Sequence, residues 1–214
     1  MKAQRGQSMV EFLLSLASFG LLLLGLFQAI LFYRAKATID YAALEAARAG
    51  ALHGAAKADM ATGLARGVTP LFATATASPD PTHTLEAFVK AKLEAPLHSK
   101  IEVISPTAAA FNDFKETQWD GRQAIPNDSL NFRPTTVKGS GMNVQDANIL
   151  KIRVTYNYPL IVPVIDRLVS ATLFRGPDPV YTVSEGHTVY SIPIVATAEV
   201  RMQSPIYDSG NLAK

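Results

Sequence analysis

The chain opens on its most regular pattern. From Phe12 to Tyr33 no residue carries a charge, a run of 22 residues centred on Leu21-Leu22-Leu23-Leu24. About 20 helical residues cross a hydrocarbon core of about 30 Å, so this run predicts a membrane-spanning helix. Its interruptions are Ser15, Ser18, Gly20, Gly25 and Gln28. Serine and glycine are tolerated in membrane helices, where small residues let neighbouring helices approach closely. Arg34 and Lys36 close the run, and Asp40 to Arg48 continues with strong helix formers. No proline lies between Met1 and Thr69. The pattern predicts one helix from Ser8 to Arg66, with Gly67 as its stop and Pro70 just beyond. Its first half lies in lipid and its second half outside, where Ala43, Ala47, Gly50 and Gly54 offer a face for close packing on a sheet or another helix.

Beyond this helix the pattern shortens. Thr69 to Thr82, with Pro70, Pro79 and Pro81, reads as loop or linker. Thr84 caps a predicted helix from Leu85 to Glu94, with Leu85, Phe88, Val89 and Leu93 near helical spacing and Pro96 as its stop. Ile101 to Ile104 is a candidate strand ended by Pro106. Pro106 to Asn148 is the least regular segment, rich in turn residues, and the place to look for a variable contact surface. Ile149 to Tyr158 is the best strand: Ile152, Val154 and Tyr156 face one way, Lys151, Arg153 and Thr155 the other. Pro159 to Phe174 is strongly apolar but too short and interrupted for a second span. It predicts a buried helix, with docking on the membrane or on a partner as the sharper alternative. Between Thr188 and Gln203, Ile194, Ala196, Ala198, Val200 and Met202 alternate with their neighbours and predict one or two strands. Asn211 to Lys214 reads as a frayed tail. The expected fold is α+β: a long N-terminal helix, membrane-spanning in its first half, packed by its second half on a small, mainly antiparallel sheet.

Composition narrows the function. The 214 residues hold one membrane segment and one modest domain. The formal charge is +2, and losing Lys2 and Arg5 takes it to zero, which gives no argument for nucleic-acid partners. With no cysteine, disulfides and thiolate metal sites are excluded. His53, His83, His98 and His187 show no metal-ligand spacing, and no nucleophile motif or phosphate-binding loop is present. Asp113, Asp120 and Asp128 are oxygen ligands of the kind calcium takes, but their spacing fits no known ion-binding loop, and a solvated loop is the plainer reading. The chain therefore reads as a non-enzyme with no cofactor and no metal. A removable secretory signal is disfavoured: its apolar core would span about 7–15 residues, although Ala35-Lys36-Ala37 superficially fits a cleavage site.

The N-terminus carries the specific signal. A short basic leader ends at Gly6, and Glu11 stands alone as an acid before the uncharged run. Arg5-Gly6-Gln7-Ser8-Met9-Val10-Glu11-Phe12, the leucine-rich run and Ala46-Ala47-Arg48-Ala49-Gly50 resemble the type IV pilin superfamily. Within it they resemble the TadE-like proteins of the tight-adherence (Flp) pilus system. The resemblance implies that residues 1–6 are a leader, cut after Gly6 by a prepilin peptidase, leaving Gln7 as the mature N-terminus. Residues 7–33 would then be the transmembrane half of the helix, 34–67 its outer half, and 68–214 a periplasmic or extracellular domain. Glu11 and Phe12 become assembly residues. A carboxylate at the membrane edge is costly without a partner, and the new Gln7 amine, about 6 Å along the helix, supplies one within or between subunits.

The implied partners are the prepilin peptidase, other pilins or pseudopilins, and the assembly platform in the inner membrane. The implied role is that of a minor pilin supporting adhesion and biofilm formation, because major Flp pilins resemble little more than the N-terminal helix. The alternatives are a pseudopilin of a type II-like secretion machine and a single-span anchored envelope protein with no filament role.

Overall fold

The computed structural model describes residues 7–73, 81–165, 168–169, 181–184 and 187–213. Helix α1 (Gln7–Leu52) is followed by α2 (Lys57–Phe72), α3 (Pro81–His98), strand β1 (Ser99–Ser105) and α4 (Ala108–Phe114). The short strands β2 (Glu116–Thr117) and β3 (Gln123–Ala124) come next, then 3-10 turns at Leu130–Phe132 and Asp146–Asn148. Strands β4 (Ile149–Pro159), β5 (Tyr181–Ser184) and β6 (His187–Arg201) complete the chain. The main sheet has the order β1-β4-β6-β5, with β1 antiparallel to β4 and β5 antiparallel to β6. This is the mixed α+β class that the sequence predicts. By compactness one unit takes in the described residues of Met1–Ala35 and Asn157–Pro193, and the other those of Lys36–Tyr156 and Ile194–Lys214.

The larger unit corrects the expected single helix. α1 stops at Leu52 rather than running to Arg66. Gly54 and Ala55 both take φ of 61°, a left-handed pair that no helix can continue through. The Ala55 N–H closes back on the Gly50 carbonyl at 2.8 Å, the six-residue closure of a glycine-terminated helix. Ser204, just beyond β6, completes the cap. Its Oγ accepts from the Gly54 N–H at 2.7 Å and donates to the Ala51 carbonyl at 3.0 Å. Helix ends leave such groups without intrahelical partners; the serine satisfies the Gly54 donor and joins the Gln203 and Ser204 N–H groups, at 3.0 and 3.1 Å, on the Ala51 carbonyl. Ser204→Ala is expected to lower the unfolding free energy of the full chain in detergent by about 1–2 kcal/mol, the range for losing a cap or a part-buried hydrogen bond. Denaturant titration followed by circular dichroism measures it, and an unchanged midpoint refutes the capping role.

The turn folds α2 back on α1. Gly67 lies inside α2 and stops nothing. A Cβ there would stand 2.3 Å from the Ala42 Cα and 2.6 Å from the Ala42 Cβ. Gly63 is similarly close to the Glu45 carbonyl and Ala49. Ile39, Ala42, Ala43, Ala46 and Ala47 of α1 are buried, with Met60, Leu64, Ala65 and Val68 of α2. Gly50 fits against Met60 and Leu150 of β4, so the small-residue face touches both helix and sheet. Thr69 to Phe72 continue α2 through Pro70 instead of forming a linker, and residues 74–80 of that expected linker lie outside the described ones.

Helix α3 packs on α2 and runs from Pro81 to His98, longer at both ends than expected, with Pro96 inside it rather than stopping it. Its buried face is Ala87, Ala91, Ala95 and His98, while Leu85, Val89, Leu93 and Leu97 are exposed. The expected apolar face is thus reversed. An alanine column lets α3 approach α2 closely, and proximity decides the face over side-chain size. In β4 the expected alternation holds: Leu150, Ile152, Val154 and Tyr156 are buried. On its other side Lys151 pairs with Glu199, and in β1 Lys100 reaches Glu102 at 2.6 Å.

The segment from Pro106 to Asn148 is more ordered than its composition suggests. Thr107 caps α4 by accepting from the Ala110 N–H at 3.1 Å. Asn148 is buried and its Nδ2 donates to the Pro126 and Val144 carbonyls at 2.9 and 2.8 Å. The Gln145 side chain ties the Leu130 and Arg133 carbonyls together. The expected frayed tail is tied down as well. Leu212 is buried and the Ala108 N–H donates to the Ala213 carbonyl at 2.7 Å, while Lys214 lies outside the described residues.

Candidate functional site

Gly6, the expected cleavage position, lies outside the described residues. Gln7 begins α1, and Glu11 and Phe12 follow on its opening turns. Both are exposed, Phe12 at 65%. The uncharged run after them forms unbroken helix, and its large side chains point outward: Leu22 is 63% exposed and Phe27 62%. Among the described residues α1 is the one helix long and apolar enough to cross a membrane. The core helix of a water-soluble domain would bury this face, whereas here it is open along most of its length. Ser18 keeps its hydroxyl satisfied inside the helix by donating to the Leu14 carbonyl at 2.9 Å.

Toward the C-terminal end of the run the helix gains neighbours within its own unit. Gln28 is 5% exposed, and its Oε1 accepts a hydrogen bond from the Val162 N–H at 3.0 Å. One turn further on, the Phe32 ring meets the Tyr158 ring edge-on, with centroids 6.4 Å apart. Sequence reasoning noted Gln28 only as an interruption. Its one signal was being the sole amide in an uncharged run, and its partner is a backbone group that no composition can reveal. Past the run, in the other unit, Lys36 pairs with Asp40 and donates to the Val195 carbonyl at 3.1 Å.

The three loop aspartates do not converge. Asp113 accepts from the Ser140 N–H at 2.7 Å, and hydrogen bonding to Ser140, with the Lys138 charge nearby, holds its carboxyl below the usual range. Asp120 accepts from the Arg122 N–H at 3.0 Å and from its Nε at 2.8 Å, which lowers its carboxyl likewise. Asp128 meets Arg133 at 3.1 Å. Among the described residues no three His, Asp or Glu side chains gather as a metal site. His98 is buried, edge-on to the Tyr156 ring at 6.4 Å, a packing position.

One exposed apolar N-terminal helix, in a chain of mixed α+β class, fits a single-pass membrane anchor. Residues 6–48 match the family model described as TadE-like protein, and over that segment the chain is similar to the TadE-like proteins of the tight-adherence system. The family is structural and pilin-like rather than enzymatic, and it associates with other pilus components in a membrane assembly system. No curated protein and no solved structure matches the chain.

Proposed function

We propose that this chain is a minor pilin or pseudopilin of a tight-adherence pilus, processed by a prepilin peptidase and required for filament assembly. The match over residues 6–48, which contains both the cut site and the exposed run, carries this reading. The leader, residues 1–6, lies in the cytoplasm. Residues 7–33 span the inner membrane, 34–67 form the outer part of the helical segment, and 68–214 the periplasmic or extracellular domain. The peptidase cuts between Gly6 and Gln7, where a residue without a side chain gives compact access. The partners are that peptidase, other pilins and the inner-membrane assembly platform. Subunits associate through the apolar surface of α1, where van der Waals packing and small residues such as Gly20 and Gly25 drive helix contacts in lipid. Adhesion and biofilm formation follow from the filament.

The test is the mature N-terminus. Intact mass of protein from the native host is expected to correspond to a chain starting at Gln7. Gly6→Leu is expected to abolish cutting while membrane insertion persists, since the apolar run is untouched. An immunoblot against a peptidase-null strain reads both. A start after Ala37, or normal processing of Gly6→Leu, defeats the proposal.

A further inference from the structure

We propose that the segment Leu160–Ile165, with Leu168, enters the outer leaflet of the bilayer beside α1, so that lipid acyl chains cover its exposed apolar side chains. This rests on the reading of α1 as a membrane anchor. Depth is fixed by the hydrogen bond from the Val162 N–H to Gln28 Oε1. Gln28 precedes Arg34, the first charge after the run, by six residues, an axial distance of about 9 Å at 1.5 Å per residue. Val162 therefore sits well inside the boundary that Arg34 marks. Phe32 and Tyr158, in edge-on contact, lie between that boundary and Val162, at the depth where aromatic rings of membrane proteins gather.

The segment has the chemistry this depth demands. Leu160, Val162 and Ile165 are buried, whereas Ile161, Val164 and Leu168 are 62%, 54% and 53% exposed. Apolar side chains thus occupy both sides; Leu160–Ile165 holds no charge, and the charges nearest in sequence, Asp166 and Arg167, stand between it and Leu168. In hydrocarbon each backbone polar group needs an internal partner, and non-helical backbone persists there only when protein satisfies it. Pro159 and Pro163 have no N–H to satisfy. Leu160 donates to the Tyr190 carbonyl at 2.8 Å, Val162 to Gln28, and Leu168 to the Val164 carbonyl at 3.1 Å. Val164 takes φ of 74°, in the left-handed region, within a turn of the backbone.

The chain lacks cysteine, so single cysteines report without further changes. Ile161→Cys, Leu168→Cys, Leu22→Cys and Val137→Cys, all at exposed positions, are made in the full chain and labelled with an environment-sensitive fluorophore. Each is reconstituted at high dilution in phosphatidylcholine–phosphatidylglycerol vesicles carrying nitroxides at shallow or deep acyl positions. Labels at 161 and 168 are expected to emit in the blue and to be quenched most by shallow nitroxides. Label 22 should respond most to deep nitroxides, and label 137 to aqueous iodide alone. Iodide quenching at 161 and 168 with label 22 still deep overturns the inference and leaves the anchor standing. Loss of lipid quenching at 22 as well overturns both. Oxidative cross-linking of the unlabelled Ile161→Cys variant between chains, in place of lipid quenching, assigns the patch to a second copy and overturns the lipid assignment.

Discussion

Gly67→Ala is expected to force α2 off α1 and to cost the full chain about 2 kcal/mol of stability. The added methyl would stand 2.3 Å from the Ala42 Cα, 2.6 Å from its Cβ and 3.2 Å from its nitrogen. Two of these atoms are backbone, so no side-chain rotation relieves the overlap and a whole helix must shift. Overpacking of this kind costs about 1–3 kcal/mol, and a backbone clash belongs at the upper end. Alanine's better helix propensity returns about 1 kcal/mol. Gly20→Ala is the control, because a Cβ there meets nothing within 4 Å. Denaturant unfolding in detergent, followed by far-ultraviolet circular dichroism, compares the two. Equal midpoints for both variants would mean that the helix pair yields freely and that its close approach does not hold the unit together.

Glu11→Ala and Glu11→Gln are expected to remove filaments from the cell surface without unfolding the outer domain. Glu11 is the only acidic residue before Asp40. It stands one helical turn from the amine that cleavage after Gly6 would create, and either substitution takes away the carboxylate that a Gln7 amine of the same or a neighbouring subunit would meet. Insertion should not suffer, because acidic side chains deep in a bilayer cost about 2.5–3.5 kcal/mol on insertion scales and both replacements are neutral. The larger unit keeps its buried Leu150, Ile152 and Val154 and the Ser204 cap, none of which involves the first turns of α1. Filament counts by microscopy, membrane fractionation and protease resistance of the outer domain read the three effects separately. Wild-type filament numbers would reduce Glu11 to a boundary residue, and a protease-sensitive domain would give it a folding role instead.

What the sequence determined by itself is whatever depends on near neighbours. An uncharged run of 22 residues favours an apolar helix of spanning length, so the unbroken helix over the run and its exposed apolar surface were legible. Period-two alternation fixed both faces of β4, because each residue's side follows from its neighbour's. The TadE-like segment was legible because its glycine, its acid and its apolar run are local to one stretch.

Tertiary structure decided what depends on distant partners. α1 ends at Leu52 in the left-handed pair Gly54 and Ala55, whose turn Ser204, about 150 positions away, caps. Gly67 packs instead of terminating because Ala42 lies against it. α3 buries alanines over leucines because close approach to α2 outweighs the larger side chains' own apolarity. Gln28 changed from an interruption to an anchor point when a backbone N–H from residue 162 reached it. Each outcome turns on which surfaces the fold brings within a few ångströms, and residue type fixes that only after the long-range contacts have formed.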